Sequence, residues 1–315
     1  MLIALTAFLA ACAGEAPPAA PPAAPPAPVP APLLEPGKAD VYTAPALETA
    51  PEGPYGDSIR RGYELFTKTA ELLPDNVPGN QNCSSCHLDG GRQLGAAALL
   101  GVHDRFPKYM ERTGAVIALH DRVNYCFTRS LAGSRLPAES QEMTDLLAYL
   151  AFLSVDAPKN GKVPGVDIPK VEGKGDAATG EKLYTEKGCV ACHGAEGKGV
   201  DGAFPALWGP DSYSIGASMA REERAASFIQ QFMPKTTPGS LTLEEAFHLS
   251  AFINSHPRPD SPTKELDWPN GGAPYDVPYA TQGHEAYNPP PSVLERAKPE
   301  LAVVPAPPSV RGTPK

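Results

Sequence analysis

Two Cys-x-x-Cys-His runs, Cys83-Ser-Ser-Cys86-His87 and Cys189-Val-Ala-Cys192-His193, constrain this chain more than any other feature. In an exported protein that spacing marks covalent attachment of c-type haem. The two thiols bond the porphyrin, and the adjacent histidine stands under the iron as its proximal ligand. Two fold units must therefore each be built around a haem. Cys126 belongs to neither pair and needs a separate explanation.

Proline usage marks where those units lie. Of 38 prolines, 13 fall in residues 15–56 and 14 in residues 257–315. Neither segment carries enough apolar surface to form a core of its own. Roughly 200 residues remain between them, which suits two small domains whose porphyrins supply much of the buried apolar surface. The start of the chain reads as a signal peptide (1–11) ending in Leu9-Ala-Ala-Cys12, a lipobox, so a lipid anchor at Cys12 is expected. The alternative is a plain cleaved signal with an incidental cysteine. The run is too short to span a bilayer. Residues 12–56 then form an Ala/Pro-rich tether, and the protein works in the periplasm or an equivalent extracytoplasmic space.

The chain repeats itself. Gly62-Tyr-Glu-Leu65-Phe66 mirrors Gly180-Glu-Lys-Leu183-Tyr184, each in a helix ahead of its Cys-x-x-Cys-His. Each unit closes on an amphipathic helix, about 139–153 and about 242–255. The first places Met143, Leu146, Leu147, Leu150 and Leu153 on one face; the second opens on a Thr242…Glu245 capping box and buries Ala246, Leu249 and Ile253. Gly62 and Gly180 allow the first and last helices of each unit to approach closely. Tyr149 and Phe252 occupy matching places in the closing helices.

This order of helix, haem motif, ligand loop and final helix resembles class I cytochrome c, twice over. The fold class implied is mainly α: two tandem cytochrome c domains with Pro-rich irregular extensions. The expected divisions are a first haem domain at 57–154, a linker at 155–175, a second haem domain at 176–256 and a C-terminal extension at 257–315. Residues Thr67–Asn82 are an insertion in the first unit with no readable role.

The proximal ligands are His87 and His193. In the second unit Met233 and Met219 compete for the distal position. Met233 precedes Pro234 and lies eight residues before Leu241, where a class I cytochrome places its ligand. His193 and Met233 are 40 positions apart, and 39 positions beyond His87 stands Cys126. Cys126 is thus the expected distal ligand of the first iron, with His120 or Met110 as alternatives if the thiol is only a buried structural group. A thiolate lowers the potential of its haem and a thioether raises it, so electrons would run from the first to the second.

Around that cysteine the chain reads Arg122-Val-Asn-Tyr-Cys126-Phe-Thr-Arg129-Ser130. This closely resembles the signature of the dihaem thiosulfate dehydrogenases, and Asp267-Trp-Pro-Asn-Gly-Gly through Tyr279 resembles that family's C-terminal wrap. The resemblance implies two covalently bound haem c groups and oxidation of two thiosulfate ions to tetrathionate. Arg122 and Ser130 would contact substrate, and Cys126 would be a nucleophile that holds sulfur covalently. It also implies an external electron acceptor such as a small cytochrome c or a high-potential iron-sulfur protein. The residues suit the chemistry. Segment 57–153 carries eight Arg and two Lys, whereas 154–256 carries two Arg and eight Lys, and the planar guanidinium suits oxyanions. On a helical turn Arg122 and Ser130 share the face of Cys126. Arg129, Arg105 and Arg92 divide between substrate contact and pairing with haem carboxylates. Nucleic acid is not an expected partner of an acidic chain (net charge −9) without a basic stripe. The competing readings are a non-enzymatic dihaem electron carrier, a sulfur cytochrome acting on a carrier-bound cysteine, and an enzyme working mainly as a tetrathionate reductase.

Overall fold

The computed structural model describes residues 42–285 apart from Lys159 and Gly161. The leader, Cys12, the spacer up to residue 41 and the tail from 286 lie outside the described residues. Helices dominate, and the strands among the described residues form one antiparallel hairpin, Lys108–Met110 with Ala115–Ile117.

The two units share one plan. In the first, helix Pro54–Thr67 crosses helix Gln141–Phe152; in the second, Ala177–Glu186 crosses Leu243–Ser255, with Glu222–Phe232 packed alongside. Each crossing is made at glycine. A Cβ on Gly62 would lie 2.0 Å from the Asp145 carbonyl oxygen and 2.8 Å from Tyr149 Cβ. On Gly180 it would lie 2.0 Å from the His248 carbonyl oxygen and 2.7 Å from Phe252 Cβ. No larger residue fits without separating the helices. The helix starts are capped as their sequences ask. Ser140 accepts from the Met143 N–H (3.1 Å), Asp176 from Thr179 (2.8 Å), and Thr242 and Glu245 form the reciprocal box at 2.9 and 3.2 Å.

Behind each crossing a buried tyrosine ties a helix to the loop that follows the haem motif. Tyr149 donates to the Gly90 carbonyl at 2.6 Å, and Tyr184 donates to the Gly194 carbonyl at 2.8 Å. The hydroxyl comes from the closing helix in one unit and from the opening helix in the other, where Phe66 and Phe252 fill the exchanged places.

The proline-rich segments do more than their composition suggests. Tyr42 donates to the Leu153 and Val155 carbonyls (3.1 and 2.5 Å), Ala44 and Ala50 join the first core, and helix formation begins at Pro54. Part of the expected tether therefore packs on the first unit. Linker residues Gly165 and Val166 accept backbone bonds from Gly95 and Ala98 (2.7 and 2.8 Å), and Ile168 is buried. The segment after 257 buries Trp268, Val277 and Tyr279 against Ile215. The described part of each segment completes a core of the haem units.

The insertion Thr67–Asn82 joins the units. Gln81, 3% exposed, donates to the Ala206 carbonyl at 2.8 Å, and Asn80 Oδ1 accepts from the Ala206 N–H at 3.0 Å. Nearby, Ala96, Ile168, Phe228 and Phe232 form a cluster against which Leu88, Met219 and Met233 pack. The residue after His87 and both candidate methionines thus share one apolar patch.

Candidate functional site

The site begins with two matched imidazoles. His87 Nδ1 lies 2.6 Å from the Ala97 carbonyl, and His193 Nδ1 lies 2.9 Å from the Pro205 carbonyl. A carbonyl can only accept, so Nδ1 carries the proton in both rings and Nε2 is left with its lone pair. That tautomer is the one a proximal iron ligand needs. With the paired thiols beside each imidazole, the donor set fits haem c in both units.

In the first unit Cys83, Cys86 and His87 line a cavity of about 270 Å³ together with Arg105, Lys108, Arg122, Cys126, Ser130 and Asp167. Apolar side chains, among them Phe66, Phe127, Leu146 and Leu150, supply the rest of the wall. The thiols in this cavity differ sharply. Burial pushes Cys83 and Cys86 up to about 12. Burial also acts to raise Cys126, but the lowering effects, led by the Arg122 charge, outweigh it and bring this thiol down to about 6. Arg122 Nη1 donates to Cys126 Sγ at 3.0 Å. Only Cys126 is poised as a thiolate near neutral pH.

Local backbone geometry accounts for its placement. Helix Leu119–Tyr125 runs into a π-helical turn, Cys126–Ser130, closed by the Leu131 N–H bond to the Cys126 carbonyl at 3.0 Å. A single π-turn is rare and often marks a functional position. The sequence suggests an ordinary helical turn here. The wider turn still brings Arg122, Cys126 and Ser130 to the cavity, as the spacing requires.

Arg129 goes elsewhere. It does not line the cavity; it is 6% exposed, ion-paired to Asp267 at 2.5 Å and stacked 4.0 Å from the Tyr125 ring centre. The expectation of substrate contact is corrected on that ground. Arg92 is also committed, donating to Tyr149 Oη (2.8 Å) and the Pro45 carbonyl (3.1 Å). Of the alternatives to Cys126, Met110 reaches the cavity, whereas His120 sits by a separate small pocket, 3.6 Å from Asp121.

Arg105 does line the cavity, joined by Lys108 and Asp167, to which no sequence motif points. Burial lowers the Arg105 and Lys108 pKa values, and the neighbouring cations lower them further. Arg105 Nε is buried without a partner. Three cations facing one carboxylate leave the cavity suited to an anion.

In the second unit Lys235 is the charged neighbour felt by His193. Burial lowers its pKa. Met233 stands in extended conformation immediately after helix Glu222–Phe232, and Met219 lies in a short 3₁₀ turn, Ser218–Ala220. Both contact the same core.

Comparison with known proteins agrees with this division. The family model of the SoxA/TsdA cytochrome c domain matches residues 65–158, and the cytochrome c model matches 177–257. A thiosulfate dehydrogenase of Allochromatium vinosum is 42% identical over 69% of this chain and 84% of its own length. One from Psychrobacter arcticus is 39% identical over 74% of this chain and 73% of its own. The solved structure of thiosulfate dehydrogenase (TsdBA) from Marichromatium purpuratum superposes with a TM-score of 0.67 at 34% identity. It matches 71% of this chain, which spans about half (51%) of that longer chain. The two cytochrome c domains carry two covalently bound haem c groups. The chain belongs to the thiosulfate dehydrogenase family.

Proposed function

We propose that this protein oxidises two thiosulfate ions to tetrathionate and releases two electrons to an external acceptor. The observation that carries the reading is the Cys126 sulfur, 3.0 Å from Arg122 Nη1, in a cavity that His87 also lines and whose charged side chains are mainly cationic. His87 and Cys126 would hold the iron of the first haem, and His193 and Met233 that of the second. When bound, the haems accept the two electrons and pass them outward.

The protein's own groups account for the rest. Arg122, Arg105 and Lys108 offset the Coulombic cost of bringing two dianions together, and the Ser130 hydroxyl offers a donor beside Cys126. The Cys126 thiolate bonds the outer sulfur of one thiosulfate, a two-electron oxidation that leaves a cysteine S-thiosulfonate. The outer sulfur of the second thiosulfate attacks the sulfur next to Cys126. The S–S bond to Cys126 breaks, tetrathionate leaves, and the thiolate returns. Atoms and charge balance over the cycle.

A carrier without chemistry of its own is the less favoured reading, because a carrier has no use for a low-pKa thiol in a cationic cavity. The setting is extracytoplasmic, with Cys12 as the proposed lipid attachment point. The acceptor proposed is a small cytochrome c or a high-potential iron-sulfur protein. Thiosulfate-dependent reduction of a dye acceptor, with tetrathionate measured as product, tests the reading. Wild-type turnover that is lost in Cys126→Gly supports it; equal rates in both proteins overturn it.

A further inference from the structure

The C-terminal segment sends one carboxylate into the back of the cysteine turn. Asp267 is fully buried (0% exposed). Its Oδ2 accepts from Arg112 Nε and Nη2 (2.9 and 2.8 Å) and from Tyr279 Oη (2.7 Å), while its Oδ1 lies 2.5 Å from Arg129 Nη2. Arg112 further donates to the Gly216 carbonyl (2.7 Å) and covers the Trp268 ring. One acidic side chain thus ties the hairpin of the first unit, the π-turn and a loop of the second unit to the tail.

The tie reaches Cys126 through two neighbours. Arg129 belongs to the Cys126–Ser130 turn, and its guanidinium carbon lies 4.0 Å from the ring centre of Tyr125, the residue before the cysteine. From the same outer side, the Ser214 hydroxyl donates to the Arg129 carbonyl and the Ser214 N–H donates to the Ser130 carbonyl (3.0 Å). The inner side of the turn carries Sγ towards His87. A buried guanidinium that loses its carboxylate must find water or another acceptor. Here it can do so only by moving the turn that presents the thiolate.

We propose that Asp267 is a positioning residue for Cys126, so that the C-terminal segment sets the ligand geometry of the first haem from outside the cavity. The inference rests on Cys126 being that haem's ligand. The experiment is electron paramagnetic resonance and steady-state turnover on full-length, dihaem Asp267→Asn beside wild type. Wild type must show a His/thiolate low-spin signal; its absence would overturn the ligand assignment and this inference with it, whereas an effect missing only in the variant overturns the inference alone. Given that signal, the variant is expected to keep the second haem's signal and potential. Its first-haem signal should become altered or heterogeneous, and kcat should fall about 10²-fold, as for a misplaced reacting group. A variant with a lower Tm but an unchanged first-haem signal and turnover within twofold would make the segment a mere staple and overturn the proposal. If Asp267→Asn does not yield haem-loaded protein, Tyr279→Phe decides, since it loosens the same carboxylate without stranding a charge. A change confined to the first-haem signal supports the role; two unchanged signals overturn it.

Discussion

Replacing Arg122 by Gln removes the charge that faces Cys126 while keeping most of the side-chain volume. Its Nη1–Sγ contact of 3.0 Å is a charge-assisted hydrogen bond between two half-buried groups. Such a bond contributes about 1.5–3 kcal/mol, which corresponds to a roughly 10- to 150-fold fall in kcat/KM if it is made in the transition state. The dianionic substrate loses a positive neighbour at the same time, so the upper end of that range is expected. Arg122→Lys should recover part of the loss, because it restores the charge but not the fork. The assay is thiosulfate oxidation with a dye acceptor on protein whose two haems are verified by absorbance. Activity of Arg122→Gln within threefold of wild type, at full haem loading, would refute both the ligand-support role and the anion-binding role of this residue.

Gly62→Ala and Gly180→Ala each drive a methyl group into a facing carbonyl, so each should cost about 1–3 kcal/mol, seen as a lower Tm of the haem-loaded protein. An unchanged Tm for both would mean that the crossings are looser than they look. Asp145 is buried, and although burial raises its pKa, hydrogen bonds from Arg61, Ser58 and Gln141 bring it below the ordinary carboxylate range. A depressed folded pKa stabilises the protein above the unfolded value near 3.9, and that gain is lost as pH falls through the lower folded value. Asp145→Asn should therefore be less stable than wild type by about 1–3 kcal/mol at neutral pH, with the gap closing below about pH 4. A gap independent of pH would contradict the assignment. Asn80→Ala with Gln81→Ala frees the Ala206 peptide, whose neighbour Pro205 orients His193. Potentiometric titration should then show a shifted potential for the second haem and an unshifted first; equal shifts in both would count against a local effect.

Features carried by short-range spacing were legible before the structure. The two haem motifs, the glycine crossings, the Thr242–Glu245 cap and the shared face of Arg122, Cys126 and Ser130 all repeat or recur within a turn or two of helix. What stayed hidden has no such period. Arg129 and Asp267 lie far apart in the chain, and a buried ion pair of that kind leaves no local pattern. The π-turn was invisible because Cys126–Ser130 has the composition of an ordinary helix; the Ser214 bonds that fasten it come from the other unit. Lys108 and Asp167 reach the cavity from a hairpin and from the linker, neither of which carries a motif that points to the site. The insertion Thr67–Asn82 acquires meaning only once its partner, the His193 loop, is in place. Low apolar content argues against a separate core in the flanking segments, but it does not keep their described residues apart from the cores of the haem units.

The account turns on a cysteine sulfur bound to the first iron and a methionine sulfur bound to the second. Electron paramagnetic resonance of the oxidised protein, recorded beside Cys126→Gly, tests this most directly. The expected wild-type spectrum contains one low-spin haem with thiolate ligation and one with His/Met ligation, and the variant loses only the first. A wild-type spectrum with nitrogen or thioether donors at both irons would contradict the account.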